Sequence, residues 1–264
     1  MKLISHEIPL DLIDNHQRKI SDYMYVLLHK LIEDPVYAQK AFDYKKSGGF
    51  IIMDNSCYEL GASLEDELLH EWWDELGPDI VVLPDVLGDA DATLKRTFGF
   101  LDKYPHVAKF GMAIAQGSNP AELIECYAEL RDYRSEHDDY IEMLGIPFVY
   151  KWVEKEPAKQ AAERINLLEL MDRRRVIDRN RRHHLLGTWQ ANEFTNYRKY
   201  GWVWSLDTSN PIMAAIDGSR YTDMGLFQKP KATFDSVYDM KESDINMELL
   251  YYNVNKFKEL VNAG

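Results

Sequence analysis

Cysteine is scarce in this chain of 264 residues, which contains only Cys57 and Cys126. Two thiols cannot form the network of disulfides that stabilises small secreted domains. They are also too few for a zinc site of three cysteines and one histidine. We therefore expect a cytoplasmic protein whose fold depends on its hydrophobic core, with no metal or other cofactor.

Long apolar runs and positive charge are also in short supply. No stretch approaches the roughly 18 apolar residues of a membrane span, and the N-terminus lacks the apolar run of a signal peptide, so we expect no membrane segment. Lys and Arg total 31 against 44 Asp and Glu, a formal net charge of −13. Since nucleic-acid binders are usually basic, this imbalance argues against tight non-specific binding. It leaves open an enzyme that holds one nucleotide in a local positive patch.

What the chain does contain is a series of short apolar runs, which are typical of parallel strands buried on both faces. Predicted helices separate most of them, and this alternation indicates an α/β fold. Eight runs in a chain near the roughly 250 residues typical of the fold predict a single (β/α)8 barrel of the TIM type. A doubly wound open sheet is the main alternative. The runs cover residues 1–5, 23–29, 50–54, 79–85, 109–116, 140–147, 184–189 and 202–207.

The predicted helices complete this picture of one domain over residues 1–264. Ser63 and Asp66 suggest a capping box at the start of the second helix. After residue 208 the pattern changes to a loop-rich segment and a final helix, so we expect a barrel over about 1–208 and a helical extension over about 209–264. The predicted helices cover residues 35–46, 63–76, 90–103, 119–135, 156–174, 191–200, 210–216 and 241–261.

Polar residues stand at the ends of several predicted strands, where the active sites of such barrels lie. Asp54, Asp85 and Asp207 end the third, fourth and eighth runs, and Gln116 ends the fifth. Each has a plainer interpretation, because an Asp after a strand is often only a helix N-cap. Bringing three carboxylates to one mouth is nevertheless costly unless a ligand or a reaction uses them. The set therefore predicts a site.

This ordered set resembles the tRNA-guanine transglycosylase superfamily, which includes phage and bacterial members that insert 7-deazaguanines into DNA. Six short motifs of the family have counterparts in the same order, and they span most of the chain. The matching positions are Asp54-Asn55-Ser56-Cys57-Tyr58, Asp85, Met112 to Gly117, Leu144-Gly145-Ile146-Pro147, Leu185-Leu186-Gly187 and Asp207.

The resemblance implies a role for each matched position in guanine exchange. Asp207 would attack C1′ of the target nucleotide, and Asp54 would deprotonate the incoming base. Asp85 would accept hydrogen bonds from N1–H and the 2-amino group, while Gln116 and the backbone N–H of Gly145 would donate to O6. Further substrate contacts are expected from Tyr58, stacked on the base, from Leu186, packed on its other face, and from Asn55, Leu144 and Gly187.

Two departures from the family pattern bear on the substrate. Ser56-Cys57 replaces a Gly-Gly pair, and the zinc cluster near the family's C-terminus has no counterpart, since no cysteine follows Cys126. That cluster helps to hold RNA, so its absence favours DNA over tRNA. The expected partners are therefore a nucleic acid, a free 7-deazaguanine base such as the 7-cyano form, and a second copy of the chain, since family members often dimerise. A barrel N-glycosidase and a catalytically inactive binding barrel remain alternatives.

Basic residues and histidines outside these motifs receive weaker interpretations. The arginine-rich stretch over residues 173–184 precedes strand seven, so we place it on the face opposite the site, as a solvated or partner-binding loop. His183 and His184, at its end, are assigned a structural role, because no partner stands at metal-ligand spacing. The candidates for phosphate contacts are Lys151, Lys155, Lys159, Arg220, Lys229 and Lys231.

Overall fold

Eight parallel strands form a nearly closed barrel, as predicted, in a computed structural model that describes residues 1–188, 190–226 and 228–262. Neighbouring strands pair in parallel from the second strand round to the eighth, and the eighth pairs with the first. At the seam between β1 and β2, the hydroxyl of Ser5 donates to the carbonyl of Tyr23 at 2.9 Å. The strands are β1 Leu3–Ser5, β2 Met24–Leu27, β3 Ile51–Asp54, β4 Ile80–Val82, β5 Gly111–Ile114, β6 Met143–Ile146, β7 Arg182–Leu185 and β8 Val203–Asp207.

Helices follow the strands and cover the outside of the barrel. The longest helix of the extension, α12, packs on α10 and inserts Phe257 between the rings of His6 and Phe194. The extension is therefore part of the same hydrophobic core. The helices are α1 Ile13–Ile20, α2 Leu28–Glu33, α3 Pro35–Lys46, α4 Cys57–Leu60, α5 Asp66–Leu76, α6 Ala90–Lys103, α7 Pro120–Asp132, α8 Pro157–Arg173, α9 Ala191–Phe194, α10 Asn210–Ile216, α11 Phe234–Val237 and α12 Met247–Asn262.

The core has two layers because successive side chains of a strand point to opposite faces. Met143 of β6 lies in the inner layer that fills the barrel, whereas Leu144 lies in the outer layer between strands and helices. Burying each such side chain stabilises the fold by about 1.5–3 kcal/mol. This alternation decides which residues of a strand can reach the barrel interior.

Several predicted boundaries are wrong. The capping box is absent from α5, which begins at Asp66 without a side-chain cap, because the hydroxyl of Ser63 donates instead to the carbonyl of Asp85 at 2.9 Å. Strand seven begins at Arg182, two residues early, and the predicted last residue of that strand, Trp189, lies outside the described residues. The helix predicted over 191–200 is divided into α9 and a 3-10 turn over Tyr197–Lys199.

The final helix is also shorter than predicted. It begins at Met247 and follows a 3-10 turn over Glu242–Asp244, where the sequence predicted continuous helix from 241. In the described part of the chain, none of the helices is both long enough and apolar enough to cross a bilayer.

Candidate active site

A cavity of about 340 Å³ opens at the carboxyl ends of the strands. Its size falls within the range of ligand pockets. Asp54, Asp85, Gln116 and Asp207 all line it, so the structure brings together the four polar residues that the sequence placed at strand ends. The segment over residues 229–234 of the extension lines the remaining side. The site therefore combines strand ends of the barrel with part of the C-terminal extension.

Asp207, at the end of β8, is held by two donors. Its Oδ1 accepts a hydrogen bond from the backbone N–H of Gly187 at 3.0 Å and lies 3.0 Å from Nε2 of His184. His184 is fully buried, and its Nδ1 lies 2.8 Å from the hydroxyl of Ser205. Because an ionised carboxylate only accepts, Nε2 of His184 is the donor in its contact with Asp207. The side chain of Asp207 stays 16% exposed, oriented but open to the cavity.

Asp54 lies in a different environment at the end of β3. Its Oδ2 accepts a hydrogen bond from the hydroxyl of Tyr25, and its Oδ1 accepts from the backbone N–H of Ser56, both at 2.6 Å. Burial, reinforced by the negative charge of Glu59, raises the pKa of Asp54 to about 8. The ring of Tyr25 stacks on His184 with a centroid distance of 5.7 Å. Tyr25 therefore contacts both Asp54 and the histidine that binds Asp207.

Asp85 is buried and bound by two side-chain amides. Nδ2 of Asn55 donates to its Oδ1 at 2.9 Å, and Nε2 of Gln116 donates to its Oδ2 at 2.7 Å. Oε1 of Gln116 accepts from the backbone N–H of Gly88 at 2.9 Å, which fixes the orientation of the amide. Burial raises the pKa of Asp85, and the two amide hydrogen bonds oppose that shift. These contacts hold the carboxylate rigidly at the cavity wall.

The other predicted substrate contacts fall into two groups. Tyr58, Asn55, Leu186 and Gly187 line the cavity, with Tyr58 66% exposed at its rim. The expectation for Leu144 needs correction, because its side chain lies in the outer core layer, away from the cavity.

Gly145 lies inside β6, in register with Ile114 and His184. A Cβ at this position would stand 2.3 Å from Cδ1 of Ile114, which lines the cavity. The carbonyl of Gly145 accepts from the backbone N–H of Ala115 at 3.1 Å, so its backbone belongs to the sheet ladder. Because Gly145 has no side chain, it leaves space for the side chain of Ile114 at the cavity wall.

Two further carboxyl groups of the cavity, and one histidine beside it, were not predicted as site residues from the sequence. Glu7 and Glu59 line the cavity, and burial raises the pKa of both, that of Glu7 to about 8. Glu7 follows β1 by two residues, so the strand-end rule that found Asp54 could have found it. His184 and the cavity-lining Leu186 are two residues apart, so their side chains point to the same side of the chain. This spacing is the sequence signal that His184 faces inward.

The lining of the cavity is rich in carboxyl groups, of which burial keeps some protonated near neutral pH. Five carboxyl groups line it together with Lys229. Such a wall favours a ligand that presents several hydrogen-bond donors, and it stabilises a positive charge that develops during a reaction. Within the described residues, no group of three or more His, Cys, Asp or Glu side chains is arranged to hold a metal ion.

The arginine-rich stretch lies at the amino ends of the strands, as predicted, since it leads into β7. Much of its charge is paired, for example Arg179 with Asp172 at 2.6 Å. His183 has the structural role expected of it, with Nε2 2.7 Å from the hydroxyl of Tyr127. For His184 that interpretation was incomplete, because the side chain binds the cavity carboxylate Asp207.

Of the candidates for phosphate contacts, Lys229 lies at the cavity. Lys159 forms an ion pair with Glu154 at 2.7 Å, and the guanidinium of Arg220 stands 3.5 Å from the ring centre of Tyr252. Lys229 is therefore the candidate that stands nearest to the expected chemistry.

Comparison of the chain with models of known protein families and with curated protein sequences gives no match. Function is therefore inferred from the chemistry of the cavity and from the motif order in the sequence.

Proposed function

We propose that this protein is a base-exchange transglycosylase, which replaces guanine in a nucleic acid with a 7-deazaguanine through a covalent intermediate on Asp207. The observation that carries the proposal is that Asp54, Asp85 and Asp207 line one cavity in three different environments. Asp207 is partly exposed, Asp54 is buried with its pKa raised to about 8, and Asp85 is clamped by two amides. Carboxyl groups held in different environments take different chemical roles.

In the first step, a carboxylate oxygen of Asp207 attacks C1′ and the bond from C1′ to N9 of guanine breaks. The electron pair of that bond leaves with guanine, which must receive a proton. Asp54 is suited to supply it, because the raised pKa keeps this group largely protonated near neutral pH. Splitting the exchange into two displacements lowers each barrier, and the acidic wall stabilises the positive charge that develops on the sugar.

In the second step, N9 of the incoming base attacks C1′ and the bond to Asp207 breaks, which restores the carboxylate. The proton of N9 passes to Asp54, now ionised, so the group alternates as acid and base, as the second carboxyl of a retaining glycosidase does. The two steps together consume one free base, release one guanine and return the enzyme unchanged.

Base identity is set by Asp85 in this proposal. Its carboxylate can accept from N1–H and the 2-amino group, which adenine does not present in that arrangement. Asn55 and Gln116 hold the carboxylate in position for both contacts. A site that binds a polar edge in this way discriminates by about 10⁴ or more against analogues that lack it.

We favour DNA over tRNA as the polymer. The resemblance supports this preference, because the zinc cluster that helps to hold RNA has no counterpart in the sequence. The target base must leave its stack before it reaches the cavity. Lys229 is the residue that we assign to a phosphate beside the target nucleotide.

The proposal is tested by incubating the protein with radiolabelled guanine and either duplex DNA or bulk tRNA. Label in DNA supports the proposal in full, and label in RNA alone supports the exchange chemistry but moves the substrate to tRNA. Release of free base without incorporation indicates an N-glycosidase. No exchange and no release with either polymer contradicts an enzymatic function.

A matched pair of variants ties the activity to the cavity. Asp207→Asn keeps the shape of the side chain but removes the nucleophile, so incorporation is lost while the circular dichroism spectrum stays unchanged. Asp172→Asn alters a carboxylate at the opposite end of the barrel, which pairs with Arg179 at 2.6 Å, and keeps the activity. An Asp207→Asn protein that exchanges guanine at the wild-type rate removes Asp207 from the mechanism.

A further inference from the structure

Arg164 and Glu193 form an ion pair in which neither side chain is accessible to solvent. Taking two charges out of water costs several kcal/mol per ion on the order-of-magnitude scale, and apolar replacements of such pairs are often as stable. The pair is therefore poorly explained by stability alone. Its contacts indicate what else it does.

The guanidinium of Arg164 donates to two consecutive backbone carbonyls in the loop that follows β7. Nη1 donates to the carbonyl of Leu186. Nη2 lies 2.7 Å from the carbonyl oxygen of Gly187 and 3.2 Å from Oγ1 of Thr188. Glu193 and the hydroxyl of Tyr197 bind the rest of the guanidinium and set its angle. A planar group with donors in fixed directions is suited to holding two carbonyls at once.

The opposite sides of the same peptide units face Asp207. In the unit that joins Leu186 to Gly187, the carbonyl accepts from Arg164 and the N–H donates to Oδ1 of Asp207 at 3.0 Å. In the next unit, the carbonyl of Gly187 accepts from Arg164 and the N–H of Thr188 donates to the backbone carbonyl of Asp207 at 3.1 Å. Two peptide planes are thus clamped between a guanidinium and the predicted nucleophile.

The backbone of Gly187 makes this double clamp possible. Its φ of +55° lies in the left-handed region, which costs other residues about 1–2 kcal/mol. This conformation lets two consecutive carbonyls turn towards Arg164. In a chain of hydrogen bonds each member polarises the next, so the positive guanidinium strengthens the N–H of Gly187 as a donor to Asp207.

We propose that Arg164, held by Glu193, is a positioning residue that fixes the Gly187 amide on the carboxylate of Asp207 and thereby orients the nucleophile. Arg164 does not line the cavity; it acts through the loop over residues 186–188, which does. The inference rests on the proposed function as far as the catalytic effect is concerned. The structural coupling between Arg164, the Gly187 amide and Asp207 can be tested without any activity.

The catalytic test compares kcat and KM for labelled guanine in wild type, Arg164→Met, Arg164→Lys and Arg181→Lys. Lysine keeps the charge but cannot hold both carbonyls, so we expect kcat to fall about 100-fold in both Arg164 variants, as for a nucleophile displaced by about 1 Å. The KM for guanine stays within about threefold, because Asp85 is untouched. Arg181→Lys is the matched control: it makes the same change in a guanidinium that binds the carbonyls of Arg131 and Ile141 at the amino ends of the strands, and it keeps kcat within about threefold.

The structural test uses nuclear magnetic resonance of protein labelled with ¹⁵N-glycine, in which only 14 residues give signals. In wild type, the Gly187 amide proton resonates at low field because it donates to the carboxylate of Asp207, and Asp207→Asn, which replaces the carboxylate with a neutral amide, moves the signal upfield. In Arg164→Lys the signal moves in the same direction, while Arg181→Lys leaves it in place. Thermal melts confirm that each variant is folded at the temperature used.

The outcomes separate the two proposals. If wild type exchanges guanine but Arg164→Lys retains both kcat and the wild-type position of the Gly187 signal, the positioning role is overturned. A Gly187 signal that does not move in Asp207→Asn overturns it as well, even if the Arg164 variants do not fold. If wild type exchanges no base, the proposed function fails, and the position of the Gly187 signal in Arg164→Lys still decides whether Arg164 orients this carboxylate.

Discussion

The imidazole of His184 donates from Nε2 to Oδ1 of Asp207 over 3.0 Å, at the carboxyl end of β8. The same oxygen accepts a hydrogen bond from the backbone N–H of Gly187, so both donors bind one oxygen of the carboxylate. A nucleophilic carboxylate needs this kind of orientation, because the attacking oxygen must approach C1′ along a fixed line.

Replacing His184 by phenylalanine is expected to slow base exchange without unfolding the protein. The new ring keeps the stacking on Tyr25 but removes a charge-assisted hydrogen bond worth about 1.5–3 kcal/mol, which corresponds to roughly 10- to 150-fold in kcat. The measurement is single-turnover exchange of labelled guanine. The control is His183→Phe, at a neighbouring position that faces Tyr127 in the outer layer and should lower the melting temperature but not kcat. Equal effects of the two variants on kcat would argue against a special role for His184.

The raised pKa of Asp54 predicts a decline of exchange in alkaline solution. Asp54 must carry a proton to assist the leaving guanine, so kcat falls as pH rises through about 8. Glu7 has a pKa of about 8 as well, and Glu7→Gln tells the two groups apart. The decline persists in Glu7→Gln if Asp54 is the acid. A pH profile that becomes flat in Glu7→Gln assigns the proton to Glu7 instead.

The same shifts predict how stability depends on pH. Because the folded-state pKa of Asp54 lies above its unfolded value, the folded protein binds the extra proton between about pH 4 and pH 8. The stabilisation is complete below the unfolded pKa and is lost as pH rises through about 8. We therefore expect the melting temperature of wild type to fall from pH 5 to pH 8, and Asp54→Asn to show a shallower decline. An equal slope in both proteins would contradict the raised pKa.

Asp85→Ala is expected to weaken binding of free guanine by about 100-fold or more, since two charge-assisted hydrogen bonds at about 1.5–3 kcal/mol each are lost. Calorimetry with guanine measures the affinity, and a denaturant melt measures the cost of leaving the amides of Asn55 and Gln116 without their acceptor. Asp89 provides the control, because it is a plain N-cap of α6. Asp89→Ala should cost about 1 kcal/mol of stability and leave guanine affinity unchanged. Unaltered affinity in Asp85→Ala removes this residue from base recognition.

Lys229→Ala is expected to raise the KM for the nucleic acid and to leave the KM for the free base unchanged. A lysine that contacts a phosphate contributes about one unit to the slope of log affinity against log salt. Titrations of a labelled oligonucleotide at several salt concentrations measure that slope. Lys159→Ala is the comparison, because Lys159 is engaged with Glu154 at the surface and should leave the slope as it is. A slope that is the same in all three proteins places the phosphates elsewhere.

Local sequence determined most of the secondary structure. The helices α3, α6 and α10 begin and end where predicted, because Asp34 and Asp89 cap the first two and proline opens α3 and α10. The apolar runs found all eight strands, since a strand buried on both faces must be apolar along its length. The rule that active-site residues stand at the carboxyl ends of the strands then predicted that four residues lie at the same end of the barrel: Asp54, Asp85, Gln116 and Asp207.

The errors arose where a residue had two partners to choose from. Serine is a residue type that often caps helices, but in the folded chain the hydroxyl of Ser63 donates to the carbonyl of Asp85 instead. Leu144 belongs to a matching motif, yet the pleat turns its side chain to the outer layer. Such choices depend on groups that are distant in the chain, and no local pattern records them.

The sequence by itself determined the barrel, the order of its elements and the edge on which the carboxylates gather, because hydrophobic period and strand direction are local properties. Only the tertiary structure decided the environment of each carboxylate: His184 beneath Asp207, Tyr25 against Asp54, two amides around Asp85, and Arg164 behind the Gly187 loop. The physical reason is that burial and hydrogen bonding change the chemistry of a carboxyl group, and both depend on side chains that meet only when the barrel closes.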